Sequence, residues 1–348
     1  MTWIAEFGLS LPLIQAPMAG TSTPELAAAV SNAGALGSIA VGATDAAGAR
    51  AMIAQTRALT ARPFNVNLFV HATPQPDAAR EAAWLAELAP LFARYGAVPP
   101  QELRTIYQSF GDDDAMLRLL VEQAPPVVSF HFGLPDAARI AALKGAGSLL
   151  VATATSLAEA ALCKAAGIDA VVAQGWEAGG HRGVFDPDAP DDRLGTLALT
   201  RLLVARADLP VIAAGGIMDG QGIRAALDLG AVAAQLGTAF VRCPESSADQ
   251  AYREAMAGKA AEYTVMTSVI SGRPARCLAN RFTTWGAEAE RQVPAYPIAY
   301  DAGKALNAAA KTAGEHGFGA QWAGQGAPLS RALPAAELVA RLAAEAGL

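Results

Sequence analysis

The segment Ala170-Val171-Val172-Ala173-Gln174-Gly175-Trp176-Glu177-Ala178-Gly179-Gly180-His181-Arg182-Gly183 joins an apolar run to a glycine-rich loop holding one of the chain's four histidines. Residues 170–173 read as a buried strand, and the loop follows its C-terminal end. Glycines beside an imidazole and an amide pack poorly. They let backbone approach a ligand closely while one titratable ring points into the site. Other strand ends along the chain are built the same way, and that recurrence decides the fold.

Upstream, Leu11-Pro12-Leu13-Ile14-Gln15-Ala16-Pro17-Met18-Ala19-Gly20 reads as a short buried strand ending in a Pro/Gly turn. Thr23-Pro24 is an N-cap with proline at the first helical position, opening a helix to Asn32. Residues 36–41 form the next strand, so strand, helix and strand make a βαβ unit. A helix over 45–59 and the strand Phe64-Asn65-Val66-Asn67-Leu68-Phe69-Val70 follow. Residues 75–124 break the rhythm: two helical stretches, 77–95 and 113–122, flank a Val98-Pro99-Pro100 break. That is too long for one connecting helix and reads as a helical insertion or lid. Strands over 127–132, 148–153, 170–173, 211–214 and 233–236 then alternate with helices over 135–144, 157–166, 197–206 and 220–229.

Eight near-continuous apolar strands, each followed by a helix, suit a parallel sheet covered on both faces. The simplest closure is a (β/α)8 barrel. A doubly wound open sheet is the alternative, but no G-x-G-x-x-G follows the first strand. The barrel domain is expected over 1–240, including the insertion at 75–124. Residues 241–348 are expected to form a smaller cap or substrate domain plus a C-terminal amphipathic helix over 335–346.

Composition narrows the function. The chain has 348 residues, is 53% hydrophobic and only 17% charged, with a net charge of −6. It can bury a large core, and it has no basic face for nucleic acid. Cys163, Cys243 and Cys277 are odd in number and widely spaced, which fits neither a disulfide framework nor a CxxC metal site. The first six residues lack a leader-like pattern, and no apolar run approaches the ~20 residues of a membrane span. A soluble cytoplasmic protein, monomer or homodimer, is the expectation.

In such a barrel the functional face lies at the C-terminal strand ends. That places Ala16, Pro17, Met18, Asn67, His131, Thr153, Gln174 to Gly183, Gly215, Gly216 and Gln235-Leu236-Gly237-Thr238 around one mouth. The set is rich in glycine and neutral amides. It lacks paired carboxylates for glycoside hydrolysis, metal-ligand spacing and a G-x-S-x-G elbow. Gly215-Gly216 and Gly237-Thr238 match the phosphate-binding position of many barrels, where bare N–H groups meet a dianion. Asn67, Gln174 and Gln235 can donate to and accept from a heteroaromatic edge, although such amides also serve loop backbone. Phosphate site and amides together suggest flavin mononucleotide, FMN. His181 is the candidate general base or anion-positioning group. His131 reads as packed or supporting, and His71 and His316 as surface residues.

Beyond these readings, the whole chain resembles the class I nitronate monooxygenases, formerly 2-nitropropane dioxygenases. The resemblance is carried by residues 15–20 with Ser31-Asn32-Ala33-Gly34, and by 64–69. It continues in Ser129-Phe130-His131-Phe132-Gly133, the Gln174 to Gly183 loop and Gln321-Trp322-Ala323-Gly324-Gln325. It implies an FMN-bearing TIM barrel that oxidises alkyl nitronates, notably propionate 3-nitronate, with O2. It makes His181 the catalytic residue and Asn67, Gln174, Gly179, Gly180, Gly215, Gly216 and 235–238 flavin contacts. Tyr296, Tyr300 and Lys304, with His131, become candidates for the substrate side. NADH:quinone reductases share a similar flavin site and histidine loop. The competing expectation is therefore an NAD(P)H-dependent flavin reductase acting on quinones or enoyl thioesters.

Overall fold

The computed structural model describes residues 8–348, and eight strands form one parallel sheet. They are β1 (Leu13–Gln15), β2 (Gly37–Ala40), β3 (Phe64–Phe69), β4 (Val127–His131), β5 (Leu149–Ala154), β6 (Ala170–Gln174), β8 (Val211–Ala214) and β9 (Ala233–Leu236). The sheet runs β1-β9-β8-β6-β5-β4-β3-β2. Its two ends meet where Ile14 bridges Leu36 in parallel, with Gln15 N–H donating to Leu36 C=O at 2.9 Å. That contact closes the barrel. The remaining strand between β6 and β8 in the chain, β7 (Gly180–His181), lies outside it.

Strand parity sorts the side chains. On β6, Val171 and Ala173 join the outer core under the helices, whereas Ala170 and Val172 join the barrel interior with Ile14, Val151 and Ile212. The same alternation sends Phe64, Val66 and Leu68 of β3 outward. Asn65 and Asn67, at the alternate positions, therefore point inward. At the C-terminal ends the inward layer becomes polar: Asn67, His131, Thr153, Gln174 and Gln235.

Helix ends follow the sequence signals. Thr23 caps α1 (Pro24–Asn32) by accepting from Leu26 N–H at 3.0 Å, with Pro24 inside the first turn. Asp45 does the same for α2 (Ala46–Leu59) through Gly48 N–H. Gly37 must be glycine, because a Cβ there would sit 1.9 Å from the Ala27 carbonyl oxygen where α1 crosses β2.

The 75–124 stretch divides into two parts with different duties. α3 (Ala78–Ala93) packs against α11 (Ile298–Thr312), and Trp84, Leu88 and Phe92 share a core with Ile270, Phe282, Leu306 and Phe318. α4 (Asp114–Gln123) instead packs between α2 and α5 (Ala137–Gly145) as a barrel helix. The ring continues with α6 (Leu157–Ala165), α7 (Thr196–Arg206) and α8 (Gly220–Asp228). Its last place is taken by the C-terminal α12 (Ala335–Ala346), which packs on α8 and α1. A division at residue 240 therefore does not follow the packing.

The smaller layer also includes α9 (Gln250–Ala257), α10 (Arg281–Ala287) and a three-stranded antiparallel sheet, β10 (Thr264–Thr267), β11 (Ala275–Leu278) and β7. β7 pairs Gly180 with Arg276 and His181 with Ala275. The histidine loop of the barrel is thus the edge strand of the cap sheet.

Candidate active site

One cavity of about 680 Å³ lies between the C-terminal strand ends and the cap. It falls within the range of roughly 300–1,000 Å³ typical of small-molecule and cofactor sites. Ala16, Pro17, Met18, Asn67, His131, Gln174, Gly179, Gly180, His181, Gly215, Gly216, Gln235, Gly237 and Thr238 all line it, as do Tyr296, Tyr300 and Lys304. Leu236 does not: its side chain belongs to the outer core, as strand parity requires.

His181 is held by its cap-sheet pairing and by one ring contact, Nε2 to Ser271 Oγ at 2.9 Å. The Ser271 hydroxyl donates to the Arg273 carbonyl at 3.2 Å, so it accepts from Nε2–H of a neutral ring. Nδ1 then carries the lone pair and has no protein partner among the described residues. Tyr296, Trp322 and Phe132 pack around the imidazole at centroid distances of 5.3, 5.0 and 5.5 Å. Burial among these rings, with Arg273 and His131 nearby, pulls the His181 pKa down to about 3.

His131 is a supporting group. Its Nε2–H donates to the His181 carbonyl at 3.1 Å, and its Nδ1 accepts from the Thr153 hydroxyl at 3.0 Å. Both nitrogens are committed, and burial lowers its pKa to about 4. Gln174 is spent similarly. Its Nε2 donates to the His181 carbonyl at 3.0 Å and its Oε1 accepts from Gly183 N–H at 2.7 Å. The same carbonyl is gripped twice, which fixes where the His181 ring starts. Asn67 Nδ2 donates to Ser129 Oγ at 2.9 Å. The Gln235 amide stays open to the cavity.

The two neutral histidines give the fold an acid limit. Both rings would titrate near 6.5 once exposed, so unfolding takes up protons as pH falls below that value. Stability should be insensitive to these rings above about pH 6.5. It should decline toward pH 4 by up to ~1.4 kcal/mol per pH unit per ring. Calorimetry between pH 7 and 4.5 on the wild type and on His131→Gln tests this. A variant melting curve that falls with pH as steeply as the wild type's would remove His131 from the account.

At the opposite wall, no backbone carbonyl among the described residues takes the N–H groups of Gly216, Gly237 or Thr238. Gly215 and Gly216 have φ of +125° and +69°, a turn that favours glycine. Among the described residues, the acidic side chain on the cavity wall is Asp249, exposed and paired with Lys311. The wall can therefore hold an anion at Gly215-Gly216 and Gly237-Thr238. No group of three or more His, Cys, Asp or Glu among the described residues could hold a metal ion.

The mouth is aromatic and cationic. Lys304 Nζ lies over the rings of Tyr107 and Tyr300 at 4.8 and 5.3 Å. Burial raises the Tyr107 pKa to about 12 and that of Tyr300 further, so both stay protonated donors. Tyr107, Ser271 and Arg273 escape a sequence reading because they sit in irregular segments without periodicity. His71, expected at the surface, is instead buried at 8% exposure. It packs edge-on to Tyr296 at 5.1 Å with Nδ1 against the Ala72 carbonyl. Its apolar neighbours overrode its polar sequence context. His316 is exposed at the cavity mouth.

A closed (β/α)8 barrel with a histidine-centred cavity at its C-terminal face, roofed by a cap, has the layout of a barrel enzyme. The family model for nitronate monooxygenase matches residues 2–345, and the chain belongs to that family. It is 65% identical to a nitronate monooxygenase of Paraburkholderia phytofirmans, covering 97% of this chain and 93% of the relative. It is 58% identical to one of Pseudomonas aeruginosa, covering 97% of each. Among solved structures, nitroalkane oxidase from Streptomyces ansochromogenes superposes with a TM-score of 0.88 at 43% identity, over 97% of this chain and 96% of that one. FabK from Thermotoga maritima superposes at 0.76 and 29% identity, over 100% and 96%. No helix among the described residues is long and apolar enough to cross a membrane.

Proposed function

We propose that this enzyme uses FMN to oxidise alkyl nitronates with O2, releasing nitrite and a carbonyl product. The observation that carries the reading is His181: a neutral ring, fixed by Ser271 through Nε2, presenting a bare Nδ1 to the cavity opposite the Gly215-Gly216 and Gly237-Thr238 wall. The wall fits a flavin mononucleotide. It has unpaired N–H groups beside Gly215-Gly216 and Gly237-Thr238 for the phosphate, and amide groups at Gln235 and Asn67 for the ring edge. When bound, the flavin supplies the electron acceptor and the oxygen chemistry.

The chain's own residues do the rest. A nitronate is a planar oxyanion, and the cavity holds cations but no free carboxylate to oppose it. His181, with its conjugate acid near 3, is a poor base toward a neutral nitroalkane while the cavity is empty. An anion beside the ring raises its proton affinity. The site is therefore better suited to the preformed nitronate than to making one. For a neutral nitroalkane, Nδ1 is the atom that accepts the α-proton. The rings of Tyr296, Trp322 and Phe132 exclude water from that position. Lys304, with the Tyr107 and Tyr300 rings beneath it, suits the distal carboxylate of propionate 3-nitronate. The buried, unbridged cysteines fit a reducing cytoplasm.

The deciding experiment is anaerobic mixing of the yellow protein with propionate 3-nitronate and, separately, with NADH, followed by absorbance. The nitronate should alter the flavin spectrum while NADH leaves it oxidised. Rapid bleaching by NADH alone would instead make this a flavin reductase.

A further inference from the structure

Arg273 lies at 4% exposure and forms no ion pair with any carboxylate within 4 Å among the described residues. One guanidinium nitrogen, Nη2, donates to the Val184 and Phe185 carbonyls, while Nε has no acceptor among the described residues. A buried guanidinium without a carboxylate is costly and needs a reason. Glu159, Asp186 and Asp188 lie near enough to act on it through space. Glu159, however, is engaged with Phe185 N–H at 2.8 Å and with Thr155.

The guanidinium sits over the Phe132 ring, 4.3 Å from its centroid. Phe132 is itself unusual, with φ at +79°, a left-handed backbone that a bulky residue adopts only when held there. Its ring touches His131 at 4.6 Å, Tyr296 at 5.4 Å and His181 at 5.5 Å. Arg273 also connects to His181 along a second route, because its carbonyl accepts from Ser271. Cation, strained aromatic and histidine therefore form one contiguous cluster, with Phe132 edge-on to His181.

We propose that Arg273 is the positioning cation of the site: it clamps Phe132 in its left-handed backbone and supplies the fixed charge that draws small planar oxyanions to His181. The inference deepens the nitronate reading by assigning the anion preference to a residue that touches neither flavin nor substrate. With both histidines neutral, the lysines on the cavity wall are Lys304 and Lys311 at the mouth, while Arg273 lies off the wall behind Phe132. Lys311 is already paired with Asp249.

The test compares propionate with its neutral isostere propionamide, by calorimetry on the protein as isolated. The wild type should prefer propionate. Arg273→Gln keeps a donor for the Val184 carbonyl but loses the charge, and should weaken propionate at least about tenfold with little change for propionamide. Arg273→Lys should recover most of that loss. Equal weakening of both ligands by Arg273→Gln would leave a merely structural role. No preference in the wild type, or a preference that Arg273→Gln leaves unchanged, would overturn the proposal. An enzyme that ignores nitronates yet keeps the Arg273-dependent preference would refute the nitronate reading alone.

Discussion

His181→Asn is expected to retain bound flavin while losing activity on neutral nitroalkanes by about 10²-fold, the lower end of a positioned general base's usual contribution, because the ring is a weak base. Retention follows from the layout. The His181 main chain, not its ring, is held by Gln174 and His131, and β7 stays paired with β11 through backbone. The unpaired N–H groups of the opposite wall are untouched. The loss follows from Nδ1, the unpartnered basic atom that the Ser271 contact leaves facing the cavity. Activity on a preformed nitronate should fall much less, because that substrate needs no proton removed. Nitrite release from nitroethane and from ethylnitronate, assayed side by side at equal flavin loading, separates the two. Undiminished turnover of nitroethane would falsify the base role.

The barrel was legible because the strands are short apolar runs, most of them closed by glycine, proline or an amide. The reading placed seven of the eight strands with ends within a residue of the structure, and the first within a strand-and-turn stretch, 11–20, of which residues 13–15 are strand. Strand parity then put Asn67, His131, Thr153, Gln174 and Gln235 in one inward layer without further information. What sequence could not show was pairing across distance. Gly180 and His181 join Arg276 and Ala275, and no local periodicity announces a two-residue edge strand. Helix 78–93 has an ordinary amphipathic pattern that does not say its partner is 298–312. Arg273, in Ser271-Gly272-Arg273-Pro274, has the composition of a loop, yet tertiary packing buries it. The amides illustrate a different limit. Gln15, Gln174 and Gln235 look alike in sequence. Only the folded chain shows that Gln15 bonds Ser22 and Ser38, that Gln174 holds the histidine loop, and that Gln235 stays open.

The dependence of the site on the cap can be measured at Gly179. A Cβ there would lie 2.4 Å from Gly324 N and 2.6 Å from the Ala323 carbonyl carbon, both backbone atoms that cannot swing aside. The two strands of chain are tied at this point: Gly324 N–H donates to Thr238 Oγ1 at 3.0 Å, and Gln325 N–H to the Glu177 carbonyl at 2.9 Å. Gly179→Ala must therefore push residues 322–324 away from the histidine loop. Trp322 would move off His181, and the contact with the Thr238 turn would loosen. Overpacking of this kind costs about 1–3 kcal/mol. A drop in melting temperature should be accompanied by a raised KM for nitronate and weaker flavin retention. Gly180→Ala is the matched comparison. Its Cβ meets nothing within 4 Å, and its φ of +76° imposes only the left-handed penalty of roughly 1–2 kcal/mol per residue. If steric contact with the cap segment positions the site, Gly179→Ala alone should raise KM out of proportion to its stability loss. Equal KM in the two variants would mean that the histidine loop holds its place without the cap segment at 322–324.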